Sequence, residues 1–368
     1  MKKFPLFLGW LLVVARVPAV ILLDTDDPNV NTSAPGDALT GSGWQYEGDW
    51  GGFLGTPISP NFFISAAHIG GAAGGFVFQG TTYSVIGSYW LPGSDLVIWK
   101  VAGPLPAFAP LYSNSNESGR HLVVIGKGTR RGPPRVLNGT LRGWDWGADD
   151  GARRWGENDV TAIVPYSGHD LLRATFDQHL IATDHPNEAH LSRGDSGGAV
   201  FIQDGMIWKL AGINFAVDGP LWETPPPPNE PREKTQLFAA LFDATGYYYF
   251  DDTTGSYVQL GGPAPVPTAF YASRISSELA WIGSVIADPQ PKWEDHRLTV
   301  TYWRLSVDPG QMVYQVQTTS DLLTWQDATV QEEIVATAGD MQQIKATIDP
   351  GTGDHLCARV RVTRPSSP

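Results

Sequence analysis

Cysteine is almost missing from this chain. Cys357 stands alone among 368 residues, so no disulfide can close within one copy, and stability has to come from packing over a chain long enough for two compact units. Basic charge is also short. Against 38 Asp+Glu there are only 25 Lys+Arg, for a net charge of −13; such a surface repels polyanions and speaks against a nucleic-acid partner. Long apolar runs are lacking too. The most apolar stretch, Phe4–Ala15, is too short to cross a bilayer, so no stable membrane insertion is expected once it is removed. In place of these the chain carries 41 glycines, 29 prolines and 14 tryptophans. Glycine and proline interrupt helices and aromatics pack well on pleated sheets, so the composition predicts an all-β protein of short strands and turns.

Lys2 and Lys3 precede the apolar run, and small residues come after it, the pattern of a cleavable export signal over residues 1–19. A retained anchor or a buried first strand is the plainer alternative. Export without disulfides fits a bacterial protein that is secreted, periplasmic or held at the cell surface. From about Gly43 to Val217, apolar runs such as Asn61–Ser65, Leu96–Val101 and Leu122–Ile125 alternate with glycine and proline and read as strands. Over Tyr271–Ile286 the residues Ile275, Leu279, Ile282 and Ile286 fall at helical spacing, with Ser273 or Ser276 as cap, which predicts the one clear helix. Asp288–Lys292 carries two prolines, and strand patterns resume beyond it. The chain is thus divided into residues 20–287 and a small β-sandwich over 293–368.

The chemistry centres on Ser196, in Arg193-Gly194-Asp195-Ser196-Gly197-Gly198. A serine hydroxyl attacks only when a base takes its proton, and the oxyanion it creates needs backbone N–H donors aimed at one point. The glycines allow so tight a turn, and the amides of Gly194 and Ser196 are the candidate donors. Gly-Asp-Ser-Gly is also a common turn. Among eight histidines only His68 ends an apolar strand, Phe62–His68, beside small alanines. Asp95, just before the apolar Leu96–Trp99, is placed to hold a histidine tautomer. Singly, each has an ordinary structural reading; together the three form a nucleophile, a base and an orienting acid.

The order His, Asp, Ser, with Ser-Ala-Ala-His at 65–68, Ser-Asp-Leu-Val-Ile at 94–98 and Gly-Asp-Ser-Gly-Gly at 194–198, resembles the trypsin and chymotrypsin family. Val124–Gly128 is similar to that family's glycine-flanked strand, Leu210–Ile213 to its pocket strand and Tyr271–Ile286 to its closing helix. The resemblance spans roughly residues 40 to 286. It implies a chymotrypsin-like double β-barrel, six strands in each barrel, with a C-terminal helix. The triad His68, Asp95 and Ser196 would lie in the crevice between the barrels, and Gly194 and Ser196 would form the oxyanion hole. A protein or peptide is the implied substrate, and no metal or other cofactor is called for.

Several positions depart from the family. His68 and Asp95 are only 27 residues apart, so loops over the first barrel are trimmed. By the resemblance the substrate pocket is lined by His190 at its floor and by Phe215, Ala216 and Val217 along its wall. Val217, where the family has a small glycine, makes the pocket shallow, and without a floor carboxylate a substrate Lys or Arg would be buried unpaired, so small or medium apolar side chains are expected. Residues 217–266, with four consecutive prolines and a Tyr-Tyr-Tyr-Phe run, either wall off the cleft or pack away from it. The family also pairs Asp195 with a newly cut apolar N-terminus. A cut after Ala19 would supply Val20-Ile21, and a lysine or other donor is the alternative. In the last segment Tyr314–Leu322 with a buried Trp325 suggests a fibronectin-like module that binds a surface or another protein, or merely stabilises. Alternating Ala358–Val362 puts Cys357 on the polar side. A serine endopeptidase is the leading reading; a catalytically silent binding protein and an esterase or acyl transferase are the alternatives.

Overall fold

The computed structural model describes residues 20–178, 185–227, 230–294, 297–306, 312–348 and 357–364. The export signal expected over 1–19 therefore lies outside the described residues. Two antiparallel seven-stranded sheets carry the site. In the first, Phe53–Ser59, Phe62–Ala66 and Leu96–Val101 lie side by side, flanked by Gly48–Trp50, Phe76–Phe78 and Thr81–Tyr83 on one side and Val85–Trp90 on the other. In the second, His121–Gly126, Ala199–Asp204, Ile207–Val217 and Ala269–Arg274 form the centre, with Arg154–Asp159 at one edge and His169–Thr175 and Ala162–Tyr166 at the other. This is the chymotrypsin-like double-barrel arrangement, with seven strands per sheet where six were expected. Apolar side chains from both sheets, among them Leu54, Ile64, Ile98, Ile125, Phe201 and Ile213, meet in one shared core.

The expected helix is only half as long as its periodicity suggests. Ala269–Arg274 is a strand, paired on one side with Leu171–Thr175 and on the other with Gly212–Val217, and the helix runs from Leu279 to Ile286. Ladder pairing on both edges outweighs a 3.6-residue pattern that a short apolar stretch satisfies equally well as a strand. Neither expected serine caps the helix. Glu278 occupies that position without a side-chain bond, and Ser276 instead donates its hydroxyl to the buried Glu117.

Two additions extend the barrels. The hairpin Thr129–Leu137 and Thr140–Asp149 leaves the second barrel and pairs with Ala239–Leu241, from the 217–266 segment, as a separate three-stranded sheet. Beyond the helix, Gln290–Glu294, Arg297–Leu305, Met341–Ile348 and Val330–Ala338 form a four-stranded sheet, and Gln326–Asp327, Val313–Thr319 and Cys357–Thr363 a three-stranded one. Leu298, Val300, Tyr302, Val316 and Ile344 are buried between them, as in a small sandwich. The helix joins this sandwich to the barrels, because Ile282 and Ile286 share a core with Leu305, Met312 and Met341. Trp325 is half-buried under Arg359, whose guanidinium lies 4.2 Å above the ring, and is not the buried core residue expected. Cys357 is exposed at a strand end.

Candidate active site

His68 and Asp95 meet through one pair of neighbouring strands. Ala66 is in register with Leu96, so the chain leaving Phe62–Ala66 turns directly beside the residue that precedes Leu96–Val101. The Ala67 N–H donates to the Asp95 carbonyl at 2.8 Å, and the His68 N–H donates to Asp95 Oδ1 at 2.8 Å. The second carboxylate oxygen, Oδ2, lies 2.7 Å from His68 Nδ1. An ionised carboxylate only accepts, so Nδ1 carries the proton and Nε2 is left with a lone pair. That nitrogen is 2.8 Å from Ser196 Oγ. Three residues that the sequence placed far apart thus stand in one hydrogen-bonded row. Phe215 flanks it, its ring centroid 6.1 Å from that of His68.

Ser196 is presented by a loop that closes against the barrel from several directions. Gly194 and Gly197 have φ of 100° and 78°, which side-chain-bearing residues rarely adopt. A Cβ on Gly197 would come 2.6 Å from the Leu54 carbonyl of the other sheet. Asp195 is buried beneath. Its carboxylate accepts from Gly128 N–H at 2.6 Å and from Ser192 N–H and Oγ–H at 2.7 and 2.9 Å. The Val20 N–H reaches it as well. Burial pushes Asp195 up to about 6, and these donors pull the other way. Among the described residues no internal acceptor is found for the N–H of Gly194 or of Ser196, so both can serve an oxyanion.

A cavity of about 290 Å³ opens beside Ser196, at the lower end of ligand-pocket sizes. Phe215, Ala216 and Val217 line it, together with Leu191, Ser192 and Asn214. His190 does not. It is fully buried behind the wall, with Nδ1 2.6 Å from the Leu191 carbonyl and its ring against Phe176 and Phe270. The strand bridge of Ala189–His190 to Ile21–Leu22 turns that side chain inward, and Leu191 takes its place on the lining. Two further lining residues, Trp146 and Phe238, went unrecognised in the sequence. They stack at 5.0 Å, one from the long hairpin and one from the 217–266 segment. Only their high aromatic content marked those segments, since nothing local says which cavity they reach. A larger cavity of about 740 Å³ lies between the 217–266 segment, with Trp222 and Tyr249, and the second barrel, with Arg173 and Tyr271, and includes none of His68, Asp95 and Ser196.

Solved structures similar to the chain include the inactive form of Rv3671c from M. tuberculosis, 14% identical over 71% of this chain and 96% of that one, with a TM-score of 0.37. Mouse neuropsin, a serine protease, is 14% identical over 69% and 95%, also at 0.37. The secreted serine protease VesC from Vibrio cholerae is 13% identical over 84% and 64%, at 0.38. No family model matches the sequence, and no curated protein matches it. These neighbours are trypsin- and chymotrypsin-like serine proteases. No helix among the described residues is long and apolar enough to cross a membrane.

Proposed function

We propose that the chain is an exported serine endopeptidase. The observation that carries this reading is the unbroken row Asp95–His68–Ser196, at 2.7 and 2.8 Å, beside two amides with no internal acceptor among the described residues. In the proposed reaction Ser196 Oγ attacks the peptide carbonyl while His68 Nε2 takes its proton, and the amides of Gly194 and Ser196 bind the oxyanion. The same nitrogen then protonates the leaving amine, and water hydrolyses the acyl-enzyme by the reverse path. Preferred side chains at the cleaved bond are apolar. Six of the eleven lining residues are aromatic or aliphatic, the polar ones are Ser192, Arg193, Asp195, Ser196 and Asn214, and the single carboxylate, Asp195, is already taken by Gly128 and Ser192.

Activation in this reading accompanies removal of residues 1–19. Val20, Ile21, Leu22 and Leu23 are all buried, although the last two replace the family's flexible glycines. Val20 takes φ of 58°, a costly conformation for a β-branched residue, and a chain beginning at Val20 has no such torsion. Its free ammonium would stand where its N–H now meets Asp195. The test is covalent labelling of the mature protein by a fluorophosphonate, then a peptide-library cleavage profile. Labelling at Ser196 with peptide cleavage is expected. Labelling with ester turnover alone would move the reading to an esterase, and no labelling would move it to a binding protein.

A further inference from the structure

On the far edge of the second barrel, His121, Glu157 and His185 bring one ligand atom each to within 4.8 Å of one another. His121 opens the strand His121–Gly126, Glu157 and Asp159 sit on its partner Arg154–Asp159, and His185 arrives from the run that leads into the Ser196 loop. His121 Nε2 lies 3.0 Å from Glu157 Oε1, and His185 Nε2 lies 3.0 Å from Asp159 Oδ1. Zinc bonds of about 2.0–2.1 Å to imidazole and carboxylate put tetrahedral ligand atoms about 3.3 Å apart, so the His121–Glu157 pair needs to open only about 0.3 Å to admit the ion. The two imidazoles are stacked, 4.3 Å between centroids and 17° from parallel, so one ring must turn for both nitrogens to meet a single ion. Glu157 is 4% exposed, and its other oxygen accepts from Asn187 Nδ2 at 2.6 Å, as an outer donor orients a ligating carboxylate. The carboxylates of Glu157 and of the neighbouring Asp159 gather negative charge here, which a divalent cation neutralises.

We propose that His121, Glu157 and His185 bind one zinc ion, with Asp159 as the outer carboxylate that orients His185, and that this ion staples the run leading into the Ser196 loop to the barrel. The staple acts where no disulfide can form. Glu157 is bridged to Glu188, and the next two residues, Ala189 and His190, pair with Ile21–Leu22. Fixing His185 therefore fixes the residues that enter the Ser192–Ser196 turn.

The test uses the mature full chain stripped with chelator, then titrated with zinc by calorimetry and thermal unfolding. One zinc per chain and a melting temperature raised by about 3–6 °C at saturation are expected. The double variant His121→Ala/His185→Ala should lose both effects. Asp159→Asn, at a half-exposed position, should weaken zinc about 10-fold while leaving the metal-free melting temperature unchanged. His68→Ala should bind zinc as the unmodified chain does, which separates this site from the proposed catalytic one. Absence of saturable binding below about 100 µM zinc, unchanged binding by the double variant, or loss of binding in His68→Ala would each overturn the proposal.

Discussion

The two halves of the proposed active site are built by different means. His68 and Asp95 are held by one strand pair, through backbone bonds that span the Ala66–Leu96 register. Ser196 depends on residues scattered over the whole barrel domain: Gly126 and Gly128 leave room for Asp195, Asn214 binds the Asp195 carbonyl at 3.0 Å, and Val20 reaches the carboxylate. Base and acid therefore need only a correct sheet. The nucleophile needs a folded second barrel, a seated N-terminus and a buried charge, so perturbations remote from Ser196 should damage it more than similar ones damage His68.

The largest effect should come from the two residues through which the halves meet. Ser196→Ala and His68→Ala should each lower kcat/KM by roughly ten-thousand-fold or more, and the double variant little further, because the members act as a unit. Unchanged melting temperatures would show that only chemistry was lost; near-normal turnover in either variant would remove the triad.

Next comes a paired glycine test that sets the halves against each other. A Cβ on Gly126 would overlap the Asp195 carboxylate, which three short hydrogen bonds hold in place, whereas Gly74, in the loop after His68, has nothing within 4 Å. Gly126→Ala should cost about 1–3 kcal/mol and most of the activity, and Gly74→Ala almost nothing. Equal effects in thermal unfolding and turnover would mean that the Ser196 loop is no more demanding than the His68 side.

Asp195 gives the comparison a pH axis. Its folded carboxyl is raised to about 6 from an ordinary 3.8, so folding favours the protonated form. The contribution is fully present below about pH 4 and is lost as pH rises through 6. A chain extended before Val20 should thus melt at progressively lower temperature from pH 4 to 7. One that begins at Val20, with an ammonium to pair with the carboxylate, should lose less over the same interval, and parallel curves would rule out that pairing. The smallest expected change is in specificity. Phe238→Ala, which removes one wall of the 290 Å³ cavity, should shift cleavage about 10-fold toward larger apolar side chains, read from a peptide library.

Much of the first barrel's half is legible in the sequence because its determinants are local. Phe62–Ala66 and Leu96–Val101 declare themselves as apolar strands, and the positions of His68 and Asp95 at their ends follow from a single register. The Ser196 turn is legible through its glycines, whose spacing reports backbone torsions directly. Other features are out of reach. The helix reads too long because Ala269–Arg274 satisfies both periods, and only pairing with two neighbouring strands decides between them. Position alone puts His190 at the pocket floor, while the bridge to Ile21–Leu22 turns it inward. Trp146 and Phe238 reach the cavity through a sheet joining segments about 90 residues apart, and His121 meets His185 across 64. Composition, local pattern and turn torsions act over a few residues and are fixed by side-chain type, so the sequence by itself determined the all-β class and the three residues of the row. Which walls close the cavity and which carboxylates face which imidazoles were decided by tertiary structure, because long-range packing and strand pairing outweigh local preference.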